Sequence, residues 1–183
     1  RAKALVALQM EAGKPILSVE NTLKLVKGRH PILEAALKKE HKPIVPLTLT
    51  LTPNKHILVI SGPNAGGKSV CLKTVGLLQY MFQWGMLIPA SEVSEFRIFD
   101  NIFIDIGDEQ SIENDLSTYS SHLTNMGEIL RKATKNSLVL IDEFGTGTEP
   151  AAGGAIAETI LANIEEKGVF GVITTHYTNL KMY

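Results

Sequence analysis

The chain has 183 residues, 44% hydrophobic and 20% charged, a globular balance that excludes disorder and low complexity. No apolar run nears the ~18 residues a membrane-spanning helix needs. Eighteen Lys and Arg against 19 Asp and Glu leave a net charge of −1, which argues against a charge-driven grip on nucleic acid by this piece. The single cysteine, Cys71, excludes an internal disulfide and a cysteine-based zinc site, in keeping with a reducing cytoplasm. The chain opens at Arg1 with no signal peptide and reads as a piece of something longer.

Residues 1–12 place Leu5, Leu8 and Ala12 at helical spacing, and Gly13 with Pro15 ends the pattern. This predicts a short opening helix, the tail of an upstream helical region. Residues 14–56 are punctuated by prolines, with apolar stretches at Leu23–Val26 and Leu47–Leu51; short strands and loops leading into the core are expected. HILVIS (56–61) is a continuous apolar run, as for a buried parallel strand. A glycine-rich turn follows, then a helix over Lys68–Met81, on which Cys71 packs as a small apolar residue. Trp84 in QWGMLIPA is expected in core or loop packing.

FRIFDNIFIDIG (96–107) alternates like one or two strands, and Ser117–Ala133 reads as a helix with Leu123, Met126, Ile129, Leu130 and Ala133 on one face. SLVLID (137–142) is a second buried strand. Pro150 opens a helix whose stripe is Ile156, Ile160, Leu161 and Ile164; Gly168 stops it, and VFGVITT (169–175) is a third buried strand. Strands alternating with helices imply an α/β domain with a mostly parallel central sheet flanked by helices.

Chemistry concentrates where the strands end. GPNAGGKS (Gly62–Ser69) matches G-x-x-x-x-G-K-[ST] between a predicted strand and a predicted helix. Gly62, Gly66 and Gly67 let backbone N–H groups turn toward phosphate oxygens; Pro63, Asn64 and Ala65 complete the loop, and Val70 follows in a helix whose N-terminus adds positive potential. Lys68 can reach the β- and γ-phosphates, and the Ser69 hydroxyl can ligate Mg²⁺. LVLIDE (138–143) closes a buried strand with two carboxylates, on the side of an open parallel sheet where ligands bind. Asp142 would hold Mg²⁺ directly or through water, and Glu143 would polarise the water attacking the γ-phosphate. His176, just after the third buried strand, is either a satisfied structural residue or a partner of the γ-phosphate that senses its loss. Ser117 and Thr118 begin a helix, where capping and binding of an anion, such as a phosphate from a facing subunit, are compatible roles. By itself GTGTEP (145–150) reads as a turn, and Gln110 as a solvent-exposed residue after a strand.

The segments GPNAGGKSV, DIGDEQSIENDLSTYSSHLTNM, LIDEFGTGTEP and ITTHY, in this order, resemble the MutS family of ATPases. RHPIL (29–33) is similar to the opening of that family's ATPase domain, and GMLIPA to its loop after the first helix. The run from Asp105 to Met126, with LKTVGLL, looks specifically like the second bacterial MutS branch, typified by anti-recombination and ribosome-rescue proteins. The likeness covers about residues 20–183.

It implies a P-loop NTPase fold of the ABC type, incomplete at its C-terminus, that uses ATP and Mg²⁺. Two such domains would face each other as a homodimer with two ATP molecules in the interface. On this likeness Ser117 and Thr118 reach the partner's ATP, Gly145–Thr148 communicate between sites, and His176 is the switch histidine. Gln110 lies near Mg²⁺, and Ile44 and Val45 lie near the adenine. Lys68, Glu143 and His176 are then the catalytic candidates. Residues 1–27 read as the end of a helical core or lever with its linker, and 28–183 as the ATPase domain. DNA, or a ribosome or RNA, would be met by connector and clamp regions outside this chain; the small nuclease module, Smr, that the branch usually carries near its far C-terminus is not among these residues. A cytoplasmic protein with no membrane contact is implied. Two rivals stand beside this reading. One is another ABC-type ATPase, such as a transporter or recombination motor; LSTYSSH, and no LSGGQ-like segment before LVLIDE, speaks against a transporter. The other is a nucleotide-dependent scaffold that binds ATP or ADP with little turnover.

Overall fold

The computed structural model describes residues 2–62, 67–106, 115–144 and 150–176, with the side chains of 115–121 and 150–152 outside that description. In chain order it forms α1 (Ala2–Gln9), β1 (Ile16–Leu17), β2 (Leu23–Gly28), α2 (Pro31–Lys39), β3 (Leu47–Leu51) and β4 (Ile57–Ser61). These are followed by α3 (Lys68–Gln83), β5 (Glu95–Phe96), β6 (Asn101–Asp105), α4 (Asp115–Lys132), β7 (Ser137–Ile141), α5 (Pro150–Glu166) and β8 (Phe170–Thr175). They group into two compact units, 1–53 with 73–98 and 54–72 with 99–183. Among the described residues no helix is long and apolar enough to cross a membrane.

The first unit holds a four-stranded sheet in the order β1-β5-β2-β3. β2 and β3 pair antiparallel with Leu23 opposite Leu51 and Leu25 opposite Leu49, and the register shifts between Leu25 and Gly28. Leu23, Leu25 and Leu51 are buried, so alternation puts the leucine face inward.

The proline-punctuated stretch also contains α2, a helix the strands-and-loops expectation lacked. Pro31 stands in its first turn, where a missing N–H costs nothing, and the His30 side chain accepts the Leu33 N–H at 3.2 Å as N-cap. Burial holds the His30 imidazole below its ordinary pKa, with Lys73 adding to the effect, which keeps the capping nitrogen an acceptor.

Trp84 is 70% exposed rather than packed. The end of α3 explains it. Gly85 takes φ 67°, its N–H donates to Phe82 and the Met86 N–H to Met81, a Schellman closure that leaves Trp84 on the last, outward position. Phe82 takes the inward place instead and stacks on Phe96 at 5.1 Å.

The second unit carries the sheet β4-β8-β7-β6, every pair parallel. β7 and β8 are buried along their whole length, as expected for central strands of continuous apolar character. β4, at one side of this sheet, is half-buried rather than fully buried. FRIFDNIFIDIG divides: β5 belongs to the first unit and β6 to the second.

Two apolar residues expected on the helical stripes are exposed instead. In α5 the inward positions are Ala157, Ile160, Leu161 and Ile164, the i, i+3, i+4, i+7 set, while Ile156 is 40% exposed. Among the described side chains of α4, Met126 and Ile129 are buried and Leu123 is 42% exposed. Gly168, at φ 66°, closes α5 by the same motif that ends α3, with the Val169 N–H donating to Ile164. Leu161→Ala is expected to lower stability by about 2–5 kcal/mol, whereas Ile156→Ala stays within about 1 kcal/mol; urea denaturation of the two variants checks the assignment.

Candidate functional site

Parallel pairing lines up the C-terminal ends of four strands. Ser61 sits beside Thr175, Ile173 beside Ile141, and Ile141 beside Asp105. One edge of the sheet therefore receives Gly62 and its loop from β4, His176 from β8, Asp142 and Glu143 from β7, and Asp105 from β6. Ligands of open α/β sheets bind outside this edge.

Gly62 and Gly67 take φ of 149° and 77°, and a Cβ added at either would meet nothing within 4 Å. Glycine is needed there for the backbone path and not for space. Lys68 opens α3 with 6% of its surface exposed, and its Nζ donates to the Gly62 carbonyl. Ser69 is half-buried and Val70 exposed. Burial pushes the Cys71 thiol up to about 11, so it remains a protonated small group, as its expected packing role requires. Pro63, Asn64, Ala65 and Gly66 lie outside the described residues.

The acid pair is built by β7 and β8 together. Asp142 is 4% exposed, and its N–H donates to the Asp105 carbonyl at 2.8 Å. Its Oδ1 accepts the Thr174 hydroxyl. The same hydroxyl oxygen accepts the Glu143 N–H at 2.8 Å, and that N–H also reaches Asp142 Oδ1 at 3.2 Å. Glu143 takes φ 51°, a left-handed conformation that costs a side-chain-bearing residue about 1–2 kcal/mol. Phe144 secures the turn: its N–H donates to the Thr174 carbonyl at 2.8 Å, and its carbonyl accepts the Thr175 hydroxyl at 3.1 Å. The result sends the half-exposed Glu143 carboxylate toward His176, whose Nε2 stands 3.7 Å from Oε1.

Beside them Asp105 is buried with both carboxylate oxygens engaged by α4. His122 Nδ1 lies 2.6 Å from Oδ2, and Asn125 Nδ2 donates to Oδ1 at 2.8 Å. The edge thus offers an ammonium, a hydroxyl at Ser69, a buried and oriented carboxylate, and a half-exposed carboxylate next to an imidazole. That donor set suits a polyphosphate accompanied by a hard, oxygen-seeking divalent cation held by few protein groups.

Ser117 and Thr118 fall in the first turns of α4, with their side chains outside the description; Gln110 and Gly145–Thr148 lie outside the described residues. Ile44 and Val45 belong to the first unit. Thr174, Asp105, His122 and Asn125 were not singled out from the sequence. The Thr174–Thr175 pair that ends an otherwise apolar strand was a usable signal. Asp105 and His122, 17 residues apart, follow no motif spacing.

A phosphate-loop glycine run after one parallel strand and an acid pair after its near neighbour define an α/β domain of the P-loop class. Residues 58–183 match the family model described as MutS domain V. The chain belongs to the MutS family, and this segment is that family's ATPase domain. Among its relatives, Endonuclease MutS2 of Bacillus cytotoxicus is 50% identical over 182 residues, that of Alkaliphilus metalliredigens 48%, and that of Lachnospira eligens 47%. Each alignment covers 100% of this chain and 22% of the relative, so the chain spans under a quarter of their length. These relatives support the likeness to the second bacterial branch.

Thr174→Val keeps the shape of the side chain but leaves the buried Asp142 carboxylate and the Glu143 amide without their shared hydroxyl. A loss of about 1–3 kcal/mol is expected, with Thr174→Ser close to wild type; thermal or urea unfolding reads the difference.

Proposed function

We propose that this chain binds ATP with Mg²⁺ at the strand edge and hydrolyses it to ADP and phosphate, as the nucleotide module of a DNA-processing MutS protein. The observation that carries the reading is the acid turn, in which Asp142 is buried and oriented by Thr174 while Glu143 is held in a left-handed turn toward His176. It stands on the same sheet edge as Lys68. Membership in the MutS family supports the activity.

In this reading the loop from Gly62 to Val70 cradles the phosphates, and Lys68 leaves the Gly62 carbonyl to neutralise the β- and γ-oxygens. Ser69 and Asp142 hold Mg²⁺, with Gln110 nearby; the bound ion supplies neutralisation of the phosphate charge. Glu143 accepts a proton from the water whose oxygen attacks the γ-phosphorus, while the bond to the β–γ bridging oxygen breaks and ADP leaves with that oxygen. His176 hydrogen-bonds the γ-phosphate and registers its departure. Fixing Asp142 beforehand matters because a preoriented group need not reorganise during the reaction.

Two of these domains face each other as a homodimer, and Ser117 and Thr118 at the head of α4 complete the partner's site. ATP closes the pair, and hydrolysis reopens it, moving nucleic-acid-binding regions outside this chain. The name of the relatives, Endonuclease MutS2, supports DNA as the partner of the whole protein; a ribosome or RNA is the other partner the second branch suggests. Residues 28–183 form the ATPase domain and 1–27 the end of its lever and linker, and the work takes place in the cytoplasm. Glu143→Gln in the full chain is expected to keep ATP affinity within a few-fold and to lower turnover by about 10²–10⁴-fold. Steady-state phosphate release with nucleotide titration checks it, and unchanged turnover removes Glu143 from the role.

A further inference from the structure

Asp105 joins two elements through two different groups. Its side chain is 6% exposed and is held by α4 through His122 at 2.6 Å and Asn125 at 2.8 Å. An ionised carboxylate only accepts, so His122 bonds it through Nδ1–H. His122 and Asn125, three residues apart, lie on one face of the helix, so that single face holds both oxygens. Among the described residues no Lys or Arg pairs with Asp105. Among the described residues these two side-chain donors answer the buried carboxylate, and removing one leaves its charge less well compensated. Its backbone carbonyl meanwhile accepts the Asp142 N–H at 2.8 Å. One residue ties α4 on one side and the acid turn on the other. Ser117 and Thr118 stand about one turn closer to the head of α4 than His122.

We propose that Asp105, His122 and Asn125 are positioning residues that set the head of α4 against the acid turn, so that Ser117 and Thr118 are delivered to the partner's ATP. The inference rests on the composite-site reading above. It makes a directional claim: loss of the clamp damages the site completed in the partner and spares the site formed by the same chain's own Lys68, Asp142 and Glu143.

Mixing two variants of the full chain tests that direction. His122→Ala alone is expected to lower kcat about tenfold or more while ATP affinity stays within about twofold. His122→Asn, whose amide can place a donor near the Nδ1 position, keeps most of the turnover. Glu143→Gln alone is nearly inactive. In their equal mixture, a mixed dimer has one site with an intact Glu143 on its own side and an intact α4 head from the partner. Random pairing makes half the dimers mixed with one working site each, so turnover returns to about a quarter of wild type. No recovery in the mixture overturns the proposal, because the clamp then serves its own site or only the fold. Wild-type turnover by His122→Ala overturns it as well. Asn125→Ala, run through the same mixture, supplies the test if His122→Ala does not fold. Failure of the underlying reading looks different: Glu143→Gln then keeps turnover, or shows no ATP-dependent rise in mass by light scattering, and both proposals fall together.

Discussion

The Thr174 hydroxyl donates to the Asp142 carboxylate and accepts the Glu143 amide, so a single oxygen at the end of β8 fixes the chain reversal after β7. A carboxylate this buried is costly unless donors reach it, and the left-handed turn at Glu143 is costly unless its N–H is satisfied. The same group meets both needs. Parallel pairing makes this possible, because β7 and β8 end side by side with Ile141 beside Ile173, and Phe144 adds two further bonds to β8. Those strands are themselves buried along their full length, and Val139, Ile141 and Ile173 pack against the apolar faces of α4 and α5. The apolar core thus works as the rigid base on which a polar turn can be strained.

The edge shows two solutions to the same backbone demand. In the phosphate loop, left-handed or otherwise unusual φ falls on Gly62 and Gly67, where it is free of side-chain strain. At the acid turn it falls on Glu143, where the side chain cannot be given up, and hydrogen bonds from Thr174 and Phe144 offset the cost. A residue kept in such a conformation by its surroundings is a usual mark of a site whose geometry matters. Asp105 extends the arrangement to α4, so that three strand ends and one helix are linked by buried polar contacts instead of by apolar packing alone.

Continuous apolar runs made β7 and β8 legible, and Gly168 marked the end of α5, because burial on both faces and a required left-handed closure each leave a local signature. The loop lysine and the acid pair stand out by residue type and spacing, and the structure brings them to one sheet edge. The Asp105–His122–Asn125 cluster was not, since it forms between elements and no spacing rule encodes it. Helix α2 departs from the strands-and-loops expectation for residues 14–56 because Pro31 stands in a first turn, where a proline starts a helix instead of interrupting one. Hydrophobicity alone puts Leu123 and Ile156 on the buried stripes and Trp84 in core or loop packing, whereas Phe82, Met126 and Ala157 take the inward positions. Size and apolarity say that a residue can be buried; its phase on the helix decides whether it is.

The central claim is that these strand ends form one nucleotide site in which the Lys68 ammonium and the Asp142 carboxylate act together. Titration calorimetry of the full chain with ATP, with and without Mg²⁺, beside Lys68→Ala tests it most directly. The account predicts saturable, Mg²⁺-dependent binding of one ATP per chain, lost or weakened by at least about tenfold in Lys68→Ala, which retains its fold. Absence of saturable binding, or an affinity that Lys68→Ala leaves unchanged, would contradict it.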